Sequence, residues 1–151
     1  MRKSILAAGA AASICLVGAT APVALAQSHA TSKTAFKATV SPRKPKAGQT
    51  VIAKATGAKP KASYYCLLSL YKKGAKLGAA LADTNTLVTL KSNSKGRITC
   101  KTVFVKFHGT GQYKKISCPP TRAQAKSGWK CGVALANANN HNNFVLAAFK
   151  F

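Results

Sequence analysis

The chain has 151 residues, with 24 Lys and Arg against a single acid and a formal net charge of +23 at neutral pH. One Asp and no Glu exclude the paired carboxylates of ordinary glycoside hydrolysis, and a Ser-His-Asp triad would have to use Asp83. So large an excess of cations repels itself in a compact state and attracts polyanions such as nucleic acid, anionic cell-wall polymer or anionic lipid.

Residues 1–26 read as a secretory signal peptide. Arg2 and Lys3 precede an apolar run from Ile5 to Val17, and a small-residue "ALA" stands before Gln27. The run is short and Pro22 interrupts it, which disfavours a membrane span. The expected mature protein is one secreted, extracellular domain, 27–151. It keeps 22 basic residues, 19 of them lysine. Lysine is a point charge without a fork, so the expected polyanion binding is diffuse and blind to sequence.

After the polar "QSHATSK", short runs rich in β-formers alternate with turn residues. "TAFKATV" (34–40) places Phe36, Ala38 and Val40 on one face. "SPRKPKAGQ" turns the chain into "TVIAKAT" (50–56), which aligns Val51, Ala53 and Ala55. "YYCLLSLY" (64–71) suits a central strand. "KKGAKLGAALADTN" reads as loop with room for a short strand or a turn of helix, and "TLVTL" (86–90) as the next strand. "KSNSKG" leads into "RITCKTVFVKF" (97–107). "WKCGVALA" (129–136) and "FVLAAFKF" (144–151) close the chain around the polar turn "NANNHNN". No apolar stripe of helical period interrupts this series. About seven short strands with regular turns predict an all-β, immunoglobulin-like antiparallel sandwich.

Cys66, Cys100, Cys118 and Cys131 remain after signal cleavage. An even count in an exported chain predicts two disulfides, and four cysteines allow three pairings. Two pairs fit the strand arrangement. Cys118 and Cys131 flank the local stretch "PPTRAQAKSGWK". Cys66 and Cys100 lie on strands that face opposite sheets in an immunoglobulin-type order. Zinc is the competing reading, but no CxxC occurs and His108 and His141 lack ligand spacing.

No catalytic set, metal site or cofactor motif assembles. No Gly-x-Ser-x-Gly elbow is present, and His29, His108 and His141 read as solvated. "HGTGQYKK" reads as a glycine-rich turn, because it lacks the Gly-Lys-Ser/Thr ending of a phosphate loop. Phe36, Tyr64, Phe104 and Phe149 fall in strand patterns and are expected in the core. Tyr65, Tyr71, Phe107, Tyr113 and Trp129 lie nearer strand and loop edges. At least two of these are expected to be exposed and free to stack on a base or a polycyclic ligand.

With strands and cysteines placed, the chain resembles the neocarzinostatin family of secreted apoproteins. "ATVSP" resembles that family's opening strand, "GQTVIAKATGA" its second, and "SKGRITCKTVFV" the turn and strand after its hairpin. "FHGTGQYKKISC" resembles its Phe-x-Gly-Thr-x-aromatic…Cys segment with one extra residue. "CGVALANANNHNNFVLAAF" resembles its closing strands with one residue fewer. The resemblance implies an immunoglobulin-like sandwich that holds an enediyne-type chromophore, a DNA-cleaving cytotoxin, in a cleft beside disulfide-bearing hairpins. It implies that Phe107 contacts the ligand, that Tyr113 stands for a nearby tryptophan, and that Cys118–Cys131 is one family disulfide. Gly132 and Ala136 occupy positions that can carry polar ligand contacts in the family. The family partner of Cys66 lies close by in a hairpin, whereas Cys100 does not.

The expected function is non-catalytic binding, as a neocarzinostatin-like chromophore carrier or antibacterial protein with DNA-binding character. A polycyclic or enediyne-type small molecule would meet Phe107, Tyr113 and Tyr65. The alternative is a cationic domain that binds DNA or an anionic envelope polymer, with its densest contacts at Lys44, Lys46, Lys114 and Lys115.

Overall fold

The computed structural model describes residues 35–74, 78 and 81–151. The expected signal peptide lies outside the described residues. Nine strands are present among the described residues: β1 Lys37–Ser41, β2 Thr50–Thr56, β3 Ser63–Tyr71, β4 Ala82–Lys91, β5 Ile98–Val103, β6 Phe107–His108, β7 Ser117–Cys118, β8 Lys130–Asn137 and β9 Asn140–Ala148, with a short helix α1 over Arg122–Lys126. They form a three-stranded sheet ordered β1-β2-β5, a four-stranded sheet ordered β4-β3-β8-β9, and the small ribbon β6-β7. All pairings are antiparallel. The expected sandwich is the observed fold.

The sequence pattern explains the layering. β2 alternates strictly, with Val51, Ala53 and Ala55 buried and Ile52, Lys54 and Thr56 exposed. Such alternation belongs to a sheet with one wet face. β3 and β8 instead are buried on both faces through most of their length, which is why "YYCLLSLY" carries no alternation. Their inner side chains, Tyr64, Cys66, Leu68, Leu70, Val133 and Leu135, meet Val51, Ile98, Cys100 and Phe104 in the core. The disulfide Cys66–Cys100 joins β3 to β5 across the sandwich. Cys118–Cys131 joins β7 to β8. Both pairings are those the strand arrangement favoured.

Three local features differ from the sequence reading. The stretch after Cys118 contains helix α1. Thr121 and Gln124 form a reciprocal capping box at its start, the Thr-x-x-Gln signature of a helix N-terminus. β9 begins at Asn140, within the expected polar turn. Asn137 tightens the remaining turn, its side-chain oxygen accepting from the N–H groups of Asn139 (2.9 Å) and Asn140 (3.1 Å).

The third difference lies on β4, which starts at Ala82 and bulges. Cys66 pairs with Val88 and Leu68 with Asp83, so Leu67 alone faces four residues of β4. The Thr86 hydroxyl accepts from the Leu68 N–H (3.0 Å) and donates to the Asp83 carbonyl (2.8 Å). The Asp83 carboxylate accepts from the Asn85 N–H (3.1 Å). Thus the one acid in the chain shapes a turn, and a threonine hydroxyl stands in for the missing ladder acceptor. Thr86→Val would leave the Leu68 N–H without its acceptor. We expect it to cost about 1–3 kcal/mol, measured as a lower urea midpoint at unchanged slope.

Candidate functional site

The outer face of the four-stranded sheet is apolar where a sheet face open to water would be polar. Register places three rows across it: Tyr65–Ala136–Phe144, Leu67–Ala134–Leu146 and Ser69–Gly132–Ala148. The middle strand contributes only small residues, so the face forms a trough with β8 as its floor. Gly132 is required there. A Cβ at that position would collide with the Ala147 carbonyl oxygen and lie 2.8 Å from the Ala148 Cα. The family's polar contact at this position is therefore sterically excluded in this chain, and Ala136 removes the second.

The Ser69 hydroxyl donates to the Leu81 carbonyl (3.2 Å), just before β4. The trough holds a cavity of about 160 Å³ lined by Tyr65, Leu67, Ala82, Leu87, Ala136 and His141. His141, expected as a solvated loop residue, sits edge-on to Tyr65 with ring centres 5.6 Å apart. A space of this size matches the roughly 150 Å³ apolar cavity that accommodates benzene.

Phe107 lies elsewhere. It lines an open groove of about 580 Å³ between β4 and β5, together with Asp83, Thr86, Leu87, Lys101 and Lys106. Leu87, exposed on β4, is a wall of both spaces. Tyr113 lines neither of them. It packs edge-on against Trp129 at 5.7 Å and against the core. Tyr65 and Phe107 are thus neighbours across Leu87, whereas Tyr113 is separate.

The expectation that at least two edge aromatics are exposed is not met. Tyr65, Tyr71, Phe107, Tyr113 and Trp129 are all half-buried. Much of the inner surface is alanine, as at Ala53, Ala55 and Ala58. A core so thin in side-chain volume recruits aromatics from the edges to complete its burial. No sequence signal marked Leu87, because its place on the outer face follows from the pairing of Val88 with Cys66.

Every described Lys and Arg is exposed, including Lys44 and Lys46 in the β1–β2 turn and Lys114 and Lys115 after the 3₁₀ turn. The most regular cationic array is none of these. On the outer face of the three-stranded sheet Lys37 pairs with Thr56, Lys54 with Thr39 and Thr99, and Lys101 with Ile52. The three lysines therefore form a straight diagonal, with steps of roughly 7–8 Å between Cα atoms. Between them stand the hydroxyls of Thr39, Ser41, Thr56 and Thr99, all exposed. Sequence reading missed this array because its members are distant in the chain.

No family model matches the chain, and no curated protein matches it. Solved structures do. Macromomycin, of the neocarzinostatin family, superimposes with a TM-score of 0.52, covering 78% of this chain and 99% of its own, at 21% sequence identity. The fold is neocarzinostatin-like. At this identity the likeness establishes architecture alone. The departures at Gly132, Ala136 and Cys100 belong to this chain. No helix among the described residues is long and apolar enough to cross a membrane.

Proposed function

We propose that the protein is a secreted, non-catalytic carrier of a polycyclic small molecule. The observation that carries this reading is the apolar trough of Tyr65, Leu67 and Ala136 in a neocarzinostatin-like sandwich. One ring of the ligand enters the 160 Å³ cavity. The remainder crosses Leu87 into the groove beside Phe107, and an enediyne-type chromophore is one such ligand. With no polar side chain at Gly132 or Ala136, binding rests on shape and apolar contact. Two disulfides suit an oxidising, extracellular setting.

The test is native mass spectrometry of protein taken from its own culture medium, followed by fluorescence titration with a panel of polycyclic aromatics. Phe107→Ala is expected to weaken binding about twofold to tenfold, as loss of one aromatic contact should, with the fold intact. Ala136→Phe fills the cavity and should abolish binding. A parent protein that binds nothing in the panel would sink the carrier reading.

A second reading is favoured by the lysine diagonal: binding of phosphate-bearing polymers, DNA or anionic envelope polymer, on the face opposite the trough. The two readings meet at Lys101, which belongs to the diagonal and also lines the groove beside Phe107.

A further inference from the structure

A separate cavity of about 680 Å³ lies between α1, the start of β8 and the end of β9, at the opposite end of β8 from Ala136. Its apolar lining includes Trp129, Phe149 and Phe151. Its rim carries Arg122, Lys130 and Lys150. All three rim cations are exposed. The only carboxylate side chain, Asp83, lines the groove beside Phe107 instead, so no acidic side chain neutralises this rim.

The lining is held by packing on every side. Phe149 meets Phe104 at 5.3 Å and Phe151 at 5.6 Å, both edge-on. Trp129 meets Tyr113 edge-on at 5.7 Å, and its backbone N–H donates to the Gln124 carbonyl (3.0 Å) at the end of α1. The Lys72 ammonium stands 5.9 Å from the Trp129 ring centre. The Lys150 N–H donates to the Arg43 carbonyl at 2.7 Å, which anchors the chain beyond β9. Aromatic faces and edges already in place favour a planar aromatic guest. A rim that carries three exposed cations favours one that carries a negative charge, and Arg122 can take a carboxylate in a two-pronged contact.

We propose that this cavity binds a planar aromatic carboxylate, with its rings against Trp129 and Phe149 and its carboxylate toward Arg122 and Lys130. The site is independent of the carrier trough and survives if that reading fails. Volume is sufficient, since sites for small ligands commonly span about 300–1,000 Å³.

Trp129 is the single tryptophan, so its fluorescence reports on this cavity directly. The probes are anthracene-2-carboxylate and its neutral analogue anthracene-2-methanol, titrated into the disulfide-intact mature protein at near-physiological salt. Saturable quenching is expected with the carboxylate, at least about tenfold tighter than with the alcohol. Arg122→Glu with Lys130→Glu should weaken the carboxylate about tenfold or more. Lys91→Glu with Lys95→Glu changes net charge equally but lies at the other end of the four-stranded sheet, where Lys91 pairs with Ser63, and should change affinity less than about threefold. Ala136→Phe, which fills the trough, should have no effect. Equal affinity for the two probes, or an equal loss in the two charge-reversed variants, would overturn the proposal. So would binding that Ala136→Phe removes, since that would put the probe in the trough.

Discussion

Affinity for duplex DNA is expected to fall roughly 500-fold as salt rises from about 50 to about 200 mM. The chain carries 24 cations against one acid, and every described Lys and Arg is exposed. A bare ammonium is costly to bury, so the excess has nowhere else to go. A polyanion on this surface releases condensed counterions, one set for each phosphate neutralised. The face of the three-stranded sheet offers Lys37, Lys54 and Lys101 on one diagonal, and the exposed Arg97 stands one residue before β5. With a neighbouring loop lysine, contact with four to six phosphates gives a slope of log K against log salt of about −4 to −5. Sequence should hardly matter, because no element of this face can enter a groove and read base edges. Lys54→Glu with Lys101→Glu should weaken binding to all sequences and flatten the slope by about 2. Lys114→Glu with Lys115→Glu removes equal charge from one turn and should cost less. Filter or anisotropy titrations over several salts decide the matter. Affinity that survives molar salt, or that differs sharply between DNA sequences, would contradict the account.

The fold was legible because its information is local. Period-two alternation in β2 and β5 and the unbroken apolar run of β3 announce which strands are half-wet and which are central. The cysteines add the long-range constraint. Cys66 and Cys100 pair because β3 and β5 face each other, an inference that needs only strand order. The candidate site was legible in part. Tyr65 does line the trough and Phe107 the adjoining groove. Tyr113 was placed by likeness of motif, but the helix after Cys118 brings Trp129 against it and removes it from both spaces. The trough draws on Leu87, which alternation places on the outer face because its neighbour Val88 pairs with the core-facing Cys66, a register the sequence alone does not display. The lysine diagonal depends on register between strands far apart in sequence. In each case the missing information is a pairing between distant residues, and one chain without its register does not contain it in readable form.

Replacing Cys66 and Cys100 together by alanine is expected to be the most damaging double substitution in the protein. Their bond spans a sequence separation of 34, against 13 for Cys118–Cys131. Chain entropy alone puts the two near 4 and 3 kcal/mol respectively. Both bonds also fill volume, since all four cysteines are at most 1% exposed, so a cavity penalty adds to each and the difference between them rests on loop length and on the joining of the two sheets. A domain of this size has about 5–15 kcal/mol in total. Repulsion among its uncompensated lysines draws on that margin most at low ionic strength, where screening is weakest. The Cys66→Ala, Cys100→Ala protein should therefore be largely unfolded in low salt and regain cooperative folding as salt is raised. The Cys118→Ala, Cys131→Ala protein should stay folded at both, with a lower urea midpoint than the parent. Circular dichroism during urea unfolding at two salt concentrations separates these outcomes. Equal midpoints for the two variants, or stability indifferent to salt, would show that the bond between the sheets does not oppose charge repulsion.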